Sequence, residues 1–138
     1  MGHILLMVDD DVMIQKLHSM MVKRNEFVDD SFKFENGQLA LDFLRQYDEN
    51  QCFIVFLDIN MPIMNGWEFM DAINKELLGR PIFVAIVSSS VDSSDVVKAN
   101  TYPQVLAYID KPLNNNALQL LKKHPKIAHL FQESQVNN

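Results

Sequence analysis

FIVFLDINMPIMNGWEFM, Phe53 to Met70, runs five apolar residues straight into Asp58 and then breaks the chain at Pro62 and Asn65-Gly66. An apolar run without polar alternation reads as a strand covered on both faces. Asp58 ends that run, and a carboxylate is expensive to bury unpaired. The strand must therefore finish where other groups meet the charge.

Similar runs occur at Ile4–Val8, Ile82–Val87 and Val105–Ile109, and a weaker alternating run at Ser31–Phe34 suits an edge strand. Between them lie helical patterns. Ile14, Leu17, Met21 and Val22 recur at helical spacing behind Asp11 as N-cap, and Leu39, Phe43, Leu44 and Tyr47 follow the Asn36-Gly37 turn. Met70, Ile73 and Leu77 form a third stripe, capped by Asn65 and stopped by Gly79 and Pro81. Val96 and Val97 mark a short fourth helix, and Leu113, Ala117, Leu120 and Leu121 a fifth that ends before Pro125. Ile127, Leu130 and Phe131 suggest one more short helix before a polar tail, Gln132–Asn138. This alternation predicts an α/β fold, a doubly wound open sheet whose sites lie beyond the carboxyl ends of the strands.

Composition narrows the function. A chain of 138 residues with 48% hydrophobic content can bury a core as one domain, without disulfides or structural metal. Net charge −6 with no basic stripe argues against a nucleic-acid or anionic-membrane partner. The lone Cys52 can form neither an internal disulfide nor a thiolate zinc site, which suits a reducing compartment. Ile4–Val8 is too short, and too closely followed by Asp9-Asp10-Asp11, for a signal peptide or a membrane span. A cytoplasmic location is expected.

The residues that follow the apolar runs carry the chemistry. Asp9 and Asp10 follow the first, Asp58 the third, Ser88 the fourth, and Lys111 lies just past the fifth. In a parallel sheet these ends share one edge, so carboxylates, a hydroxyl and an ammonium converge there. At an effective dielectric near 20, each pair of carboxylates about 4 Å apart costs on the order of 4 kcal/mol. A hard cation with oxygen ligands offsets that repulsion, and Mg²⁺ typically takes a few protein oxygens while keeping waters and a substrate phosphate. Asp10 and Asp58 are the first choice as direct ligands, with Asp9 direct or through water. A cation, Lys111 and Ser88 around Asp58 suit a tetrahedral anion, with Asp58 as nucleophile for phosphoryl transfer.

Taken together, LLMVDDD, FLDINMPIMNG, VSSS and YIDKPL resemble, in order and spacing, the receiver domain of two-component response regulators, over roughly residues 3–123. The resemblance implies a flavodoxin-like doubly wound sheet of five parallel strands, order 2-1-3-4-5, with five helices in a single domain. Residues 1–124 would be the receiver and 125–138 a C-terminal extension of short helix and polar tail. It implies Asp58 as phosphoacceptor, Asp9 and Asp10 as the acidic pair at Mg²⁺, and a metal ligand in the Asn60 backbone carbonyl. Ser88 would turn toward the phosphoryl group, Lys111 would pair with one of its oxygens, and Pro112 would form the Lys-Pro bond, often cis in the family. Tyr108 resembles the aromatic that swings inward when the hydroxyl moves. Asn60 and Ser90 stand at variable positions that bear on phosphoryl lifetime.

The function so implied is a single-domain, non-enzymatic signalling receiver. It would be phosphorylated by a histidine kinase or a histidine phosphotransfer protein and act by phosphorylation-dependent protein–protein contact, dimerisation included. A magnesium-dependent phosphatase with a strand-end aspartate nucleophile would need a second acid two positions on, and Asn60 stands there. His3, His18, His124 and His129 show no ligand-like grouping and are expected to be surface or structural. Trp67 is expected at the surface.

Overall fold

The structure, a computed structural model, describes residues 2–89 and 92–132. Ser90 and the polar tail from 133 onward lie outside the described residues. Five parallel strands, β1 (His3–Val8), β2 (Asp30–Phe34), β3 (Cys52–Leu57), β4 (Ile82–Ser88) and β5 (Val105–Asp110), form one sheet in the order β2-β1-β3-β4-β5. Helices α1 (Val12–Arg24), α2 (Gly37–Gln46), α3 (Gly66–Glu76), α4 (Ser93–Ala99) and α5 (Asn115–Lys122) connect and follow them, and a 3-10 turn spans Ala128–Phe131. This is the flavodoxin-like fold and strand order expected, with β2 at an edge as its weak pattern implied.

Strand alternation sorts the core. Ile4, Leu6 and Val8 of β1, with Phe53, Val55 and Leu57 of β3, face one layer with α2 and α3, while Leu5, Met7, Ile54 and Phe56 face the other with α1 and α5. The helix starts follow their caps: Asp11 accepts from the Met13 and Ile14 N–H groups, Asn36 from Leu39, and Asn65 and Glu68 form a reciprocal capping box. Gly79, at φ +91°, adopts the left-handed backbone after α3 that a residue with a Cβ disfavours.

Helix α1 departs from the sequence reading. Its buried residues are Gln15, His18 and Val22, whereas Leu17 points outward, 39% exposed. The physical reason is polar. Gln15 Nε2 donates to the backbone oxygens of Met7 (2.9 Å), Asp9 (3.0 Å) and Phe34 (3.2 Å), tying down the ends of β1 and β2, so a polar side chain takes the place that periodicity alone assigned to an apolar one.

Beyond α5 the chain folds back on the core. Ile127 is fully buried, and Phe131 packs against Phe27 and His3 with ring centroids 5.0 Å from each.

Candidate functional site

β1 and β3 are adjacent and in register from His3↔Cys52 to Val8↔Leu57, so Asp9 and Asp58 leave the sheet side by side. The Asp58 N–H donates to Val8 O (3.0 Å) and the Asp9 N–H to Phe34 O (2.9 Å), so both residues are anchored by the last rungs of the sheet. Asp9 and Asp58 are buried, Asp10 is exposed, and carboxylate oxygens of all three lie within 4.8 Å of one another.

Gly66 explains the turn that follows. A Cβ there would stand 2.6 Å from Asp58 O and 2.8 Å from Ile59 Cα, and the Gly66 N–H donates to Ile59 O (2.8 Å). Only glycine lets the start of α3 close against the backbone of Asp58.

Lys111 arrives from the opposite side. Its N–H donates to Ser88 O (3.0 Å), and its ammonium reaches Asp9 Oδ2 at 2.7 Å and Asp58 Oδ2 at 3.2 Å. One cation thus faces three carboxylates. Burial pushes the Asp58 carboxyl above its ordinary pKa, the Asp9 charge pushes it the same way, and Lys111 and the Ile59 N–H pull back. Burial alone would lower the Lys111 pKa, but its bonds and charge interactions with Asp9 and Asp58 outweigh that and raise it.

Ser88 ends β4 fully buried, Asn60 is exposed two residues beyond Asp58, and Tyr108 is half-buried on β5 against the α2/α3 layer. The Lys111-Pro112 bond is cis. An open groove of about 350 Å³ begins at Asp9 and Asp10 and is flanked by Lys16 and Lys33.

Two polar residues near the site are buried: Gln15, which the sequence reading did not single out, and His18, which takes the structural of its two expected places. Gln15 braces the strand ends, and His18 accepts from the Leu113 N–H through Nε2 (3.1 Å). Their spacing, together with Val22, marks one helix face, but a face of mixed polarity carries no hydrophobic signal. Trp67, expected at the surface, is half-buried there, stacked on Tyr102 (6.0 Å, 14°) beneath the Lys98 ammonium (4.8 Å).

The family description of the response regulator receiver domain matches residues 5–122. The chain belongs to that family. Receiver domains are signalling modules of two-component systems that work with histidine kinases or phosphotransfer proteins and bind Mg²⁺ in their acidic pocket. This receiver is similar to the cyclic di-GMP phosphodiesterase of Thermotoga maritima (24% identity over 132 residues, 94% of this chain and 33% of that protein). It is also similar to the DNA-binding transcriptional regulator NtrC of Proteus hauseri (26% over 133 residues, 95% of this chain and 26% of that protein). It therefore spans between a quarter and a third of the length of these curated relatives. Its fold is shared with a two-component response regulator from Cytophaga hutchinsonii, at TM-score 0.80 and 28% identity over 93% of this chain and 98% of that one. Among the described residues no helix is long and apolar enough to cross a membrane.

Proposed function

We propose that this receiver accepts a phosphoryl group on Asp58, from a histidine kinase or a histidine phosphotransfer protein, and signals through phosphorylation-dependent protein contact. The observation that carries the reading is Lys111 Nζ lying between Asp9 and Asp58, with Asp10 closing the acidic cluster. The donor set fits Mg²⁺: it is all carboxylate oxygen, carries more negative charge than one ammonium balances, and is partly open through Asp10. Asp9, Asp10 and Asp58 would hold the ion, with the Asn60 backbone carbonyl. When bound, it supplies positive charge for the phosphoryl oxygens and relieves the repulsion among the carboxylates.

The chain's own residues do the rest. The Asp58 carboxylate attacks phosphorus, forming an O–P bond as the donor's N–P bond breaks, and the leaving imidazole keeps the electron pair and takes a proton from solvent. Lys111 exchanges its contact with Asp58 for one with a phosphoryl oxygen. Ser88 offers its hydroxyl from the β4 end. Its movement, with Tyr108 and the turn at Pro112, shifts a population between two arrangements of the surface around β5. Lys16 and Lys33 make the approach to the acidic cluster less repulsive for an anionic donor. Residues 1–124 are read as the receiver unit, 125–138 as its extension, and the cytoplasm as its place of action.

Intact mass after incubation with acetyl phosphate and Mg²⁺ tests the reading on wild type, Asp58→Asn and a sample with EDTA. The expected result is one added phosphoryl group that requires both Mg²⁺ and Asp58. No addition to wild type would leave a receiver fold acting as an unphosphorylated interaction module, and addition that persists in Asp58→Asn would move the acceptor elsewhere.

A further inference from the structure

The turn from Lys111 to Leu113 carries the ammonium that pairs with Asp9 and Asp58, and its backbone has few ways to be held. The Lys111 N–H goes to Ser88 O on β4, and Pro112 has no N–H to give. The next donor is the N–H of Leu113, itself 2% exposed, and it goes to His18 Nε2 at 3.1 Å. His18 is 3% exposed and sits on α1, the helix that leads out of the acidic pair. Asp11 fixes that junction by donating its N–H to Asp9 Oδ1 (2.9 Å) while its own side chain caps α1. A single imidazole thus joins the unit bearing Asp9 and Asp10 to the turn bearing Lys111.

We propose that His18 is a positioning residue: by accepting the Leu113 N–H it sets where the Lys111 ammonium stands relative to Asp9 and Asp58. The inference deepens the phosphoacceptor reading and rests on it for its kinetic consequence. An imidazole that accepts at Nε2 carries its proton on Nδ1 and is neutral, and burial, the largest influence on His18, favours that neutral form. A plain core residue would need only the volume of the ring. A positioning residue needs the acceptor, so His18→Leu and His18→Gln separate the two roles: leucine keeps the bulk without an acceptor, and glutamine supplies a carbonyl oxygen of comparable reach.

The first measurement uses the unmodified chain. Imidazole ¹⁵N shifts should report His18 as the Nδ1–H tautomer with Nε2 accepting, and an Nε2–H tautomer or an imidazolium at neutral pH would overturn the proposal. Next, the Lys111 ¹³Cε resonance should move in His18→Leu and stay near its wild-type position in His18→Gln. With acetyl phosphate as donor, displacing a positioned group by about 1 Å can cost as much as a hundredfold, so a loss of roughly tenfold in maximal rate is expected for His18→Leu. His18→Gln should stay within about twofold. A folded His18→Leu with unchanged Lys111 resonance and rate would overturn the proposal. Wild type that takes up no phosphoryl group would instead remove the functional reading, leaving the tautomer and the Lys111 resonance to decide the positioning role.

Discussion

At the carboxyl end of the sheet, Asp9 and Asp58 are each 6% exposed and share one ammonium. At the amino end, Phe27 is fully buried, its ring centroid 6.2 Å from His3 and 5.0 Å from Phe131, and its carbonyl oxygen accepts from His3 Nε2 (2.8 Å). One end buries like charges with too little compensation, and the other buries rings whose polar neighbours are satisfied. Stability and reactivity are thus separated along the strands: the aromatic end supports a site whose carboxylates are not at their own free-energy minimum.

The comparison breaks first if the aromatic end is not an anchor. Phe27→Ala should cost about 3–5 kcal/mol of unfolding free energy, as expected for a fully buried ring. Urea denaturation followed by circular dichroism checks this, with phosphorylation of the folded fraction unchanged. A loss near zero would mean that the rings merely cover the end of the sheet.

At the acidic end, a cation should stabilise what it relieves. Mg²⁺ at ten times its dissociation constant should raise stability by about 1.4 kcal/mol through binding to the folded state alone. Thermal unfolding with and without the ion reads this, and the gain should shrink in Asp58→Asn. An equal gain in both proteins would place the ion away from Asp58.

Removing the charge should do part of the same work. Because its folded pKa is raised, Asp58 stays protonated in the native state over a pH range where the unfolded chain has lost that proton. Its favourable contribution is complete below the ordinary carboxylate value of about 4 and is lost as pH rises through the folded value. Asp58→Asn, measured in EDTA at pH 7, should therefore be more stable by on the order of 1 kcal/mol. The difference should vanish as pH falls and wild-type Asp58 itself becomes neutral. A variant less stable than wild type at pH 7 would show that Lys111 overcompensates burial.

The same contrast explains what could be read from the chain. Helix number and the meeting of Asp9, Asp10, Asp58 and Lys111 were legible because strand ends of a parallel sheet share an edge, a matter of topology more than of side-chain detail, whereas the strand order was implied by the resemblance of the four motifs to receiver domains. The buried face of α1 was not legible. Gln15 and His18 turn inward to serve the backbone groups of Met7, Asp9, Phe34 and Leu113, partners from β1, β2 and the turn after β5 that no local pattern announces. Tyr102 was missed for a similar reason, since its partner Trp67 lies on α3, a full strand away in sequence.

That α3 contact sharpens the comparison at the smallest scale, because it lies between the two ends. Tyr102 donates its hydroxyl to Asp71 (2.7 Å), stacks on Trp67 and is 9% exposed, so its side chain is held to α3 by one polar and one aromatic contact. Tyr102→Phe keeps the stack and loses the hydrogen bond. Asp71 is exposed and can be rehydrated, so the expected loss at pH 7 is small, about 0.5 kcal/mol. Burial, with the Asp71 bond and charge, pushes the Tyr102 hydroxyl up to about 12. Between its ordinary value near 10 and that raised value, the unfolded chain loses the proton that the native state keeps, so wild type loses stability there and the phenylalanine variant does not lose this contribution. Urea midpoints should therefore favour wild type at pH 7 and converge as pH rises past 10. A difference constant across that range would mean that the hydroxyl is no harder to ionise in the folded protein than in the unfolded one, and that neither burial nor Asp71 raises its pKa.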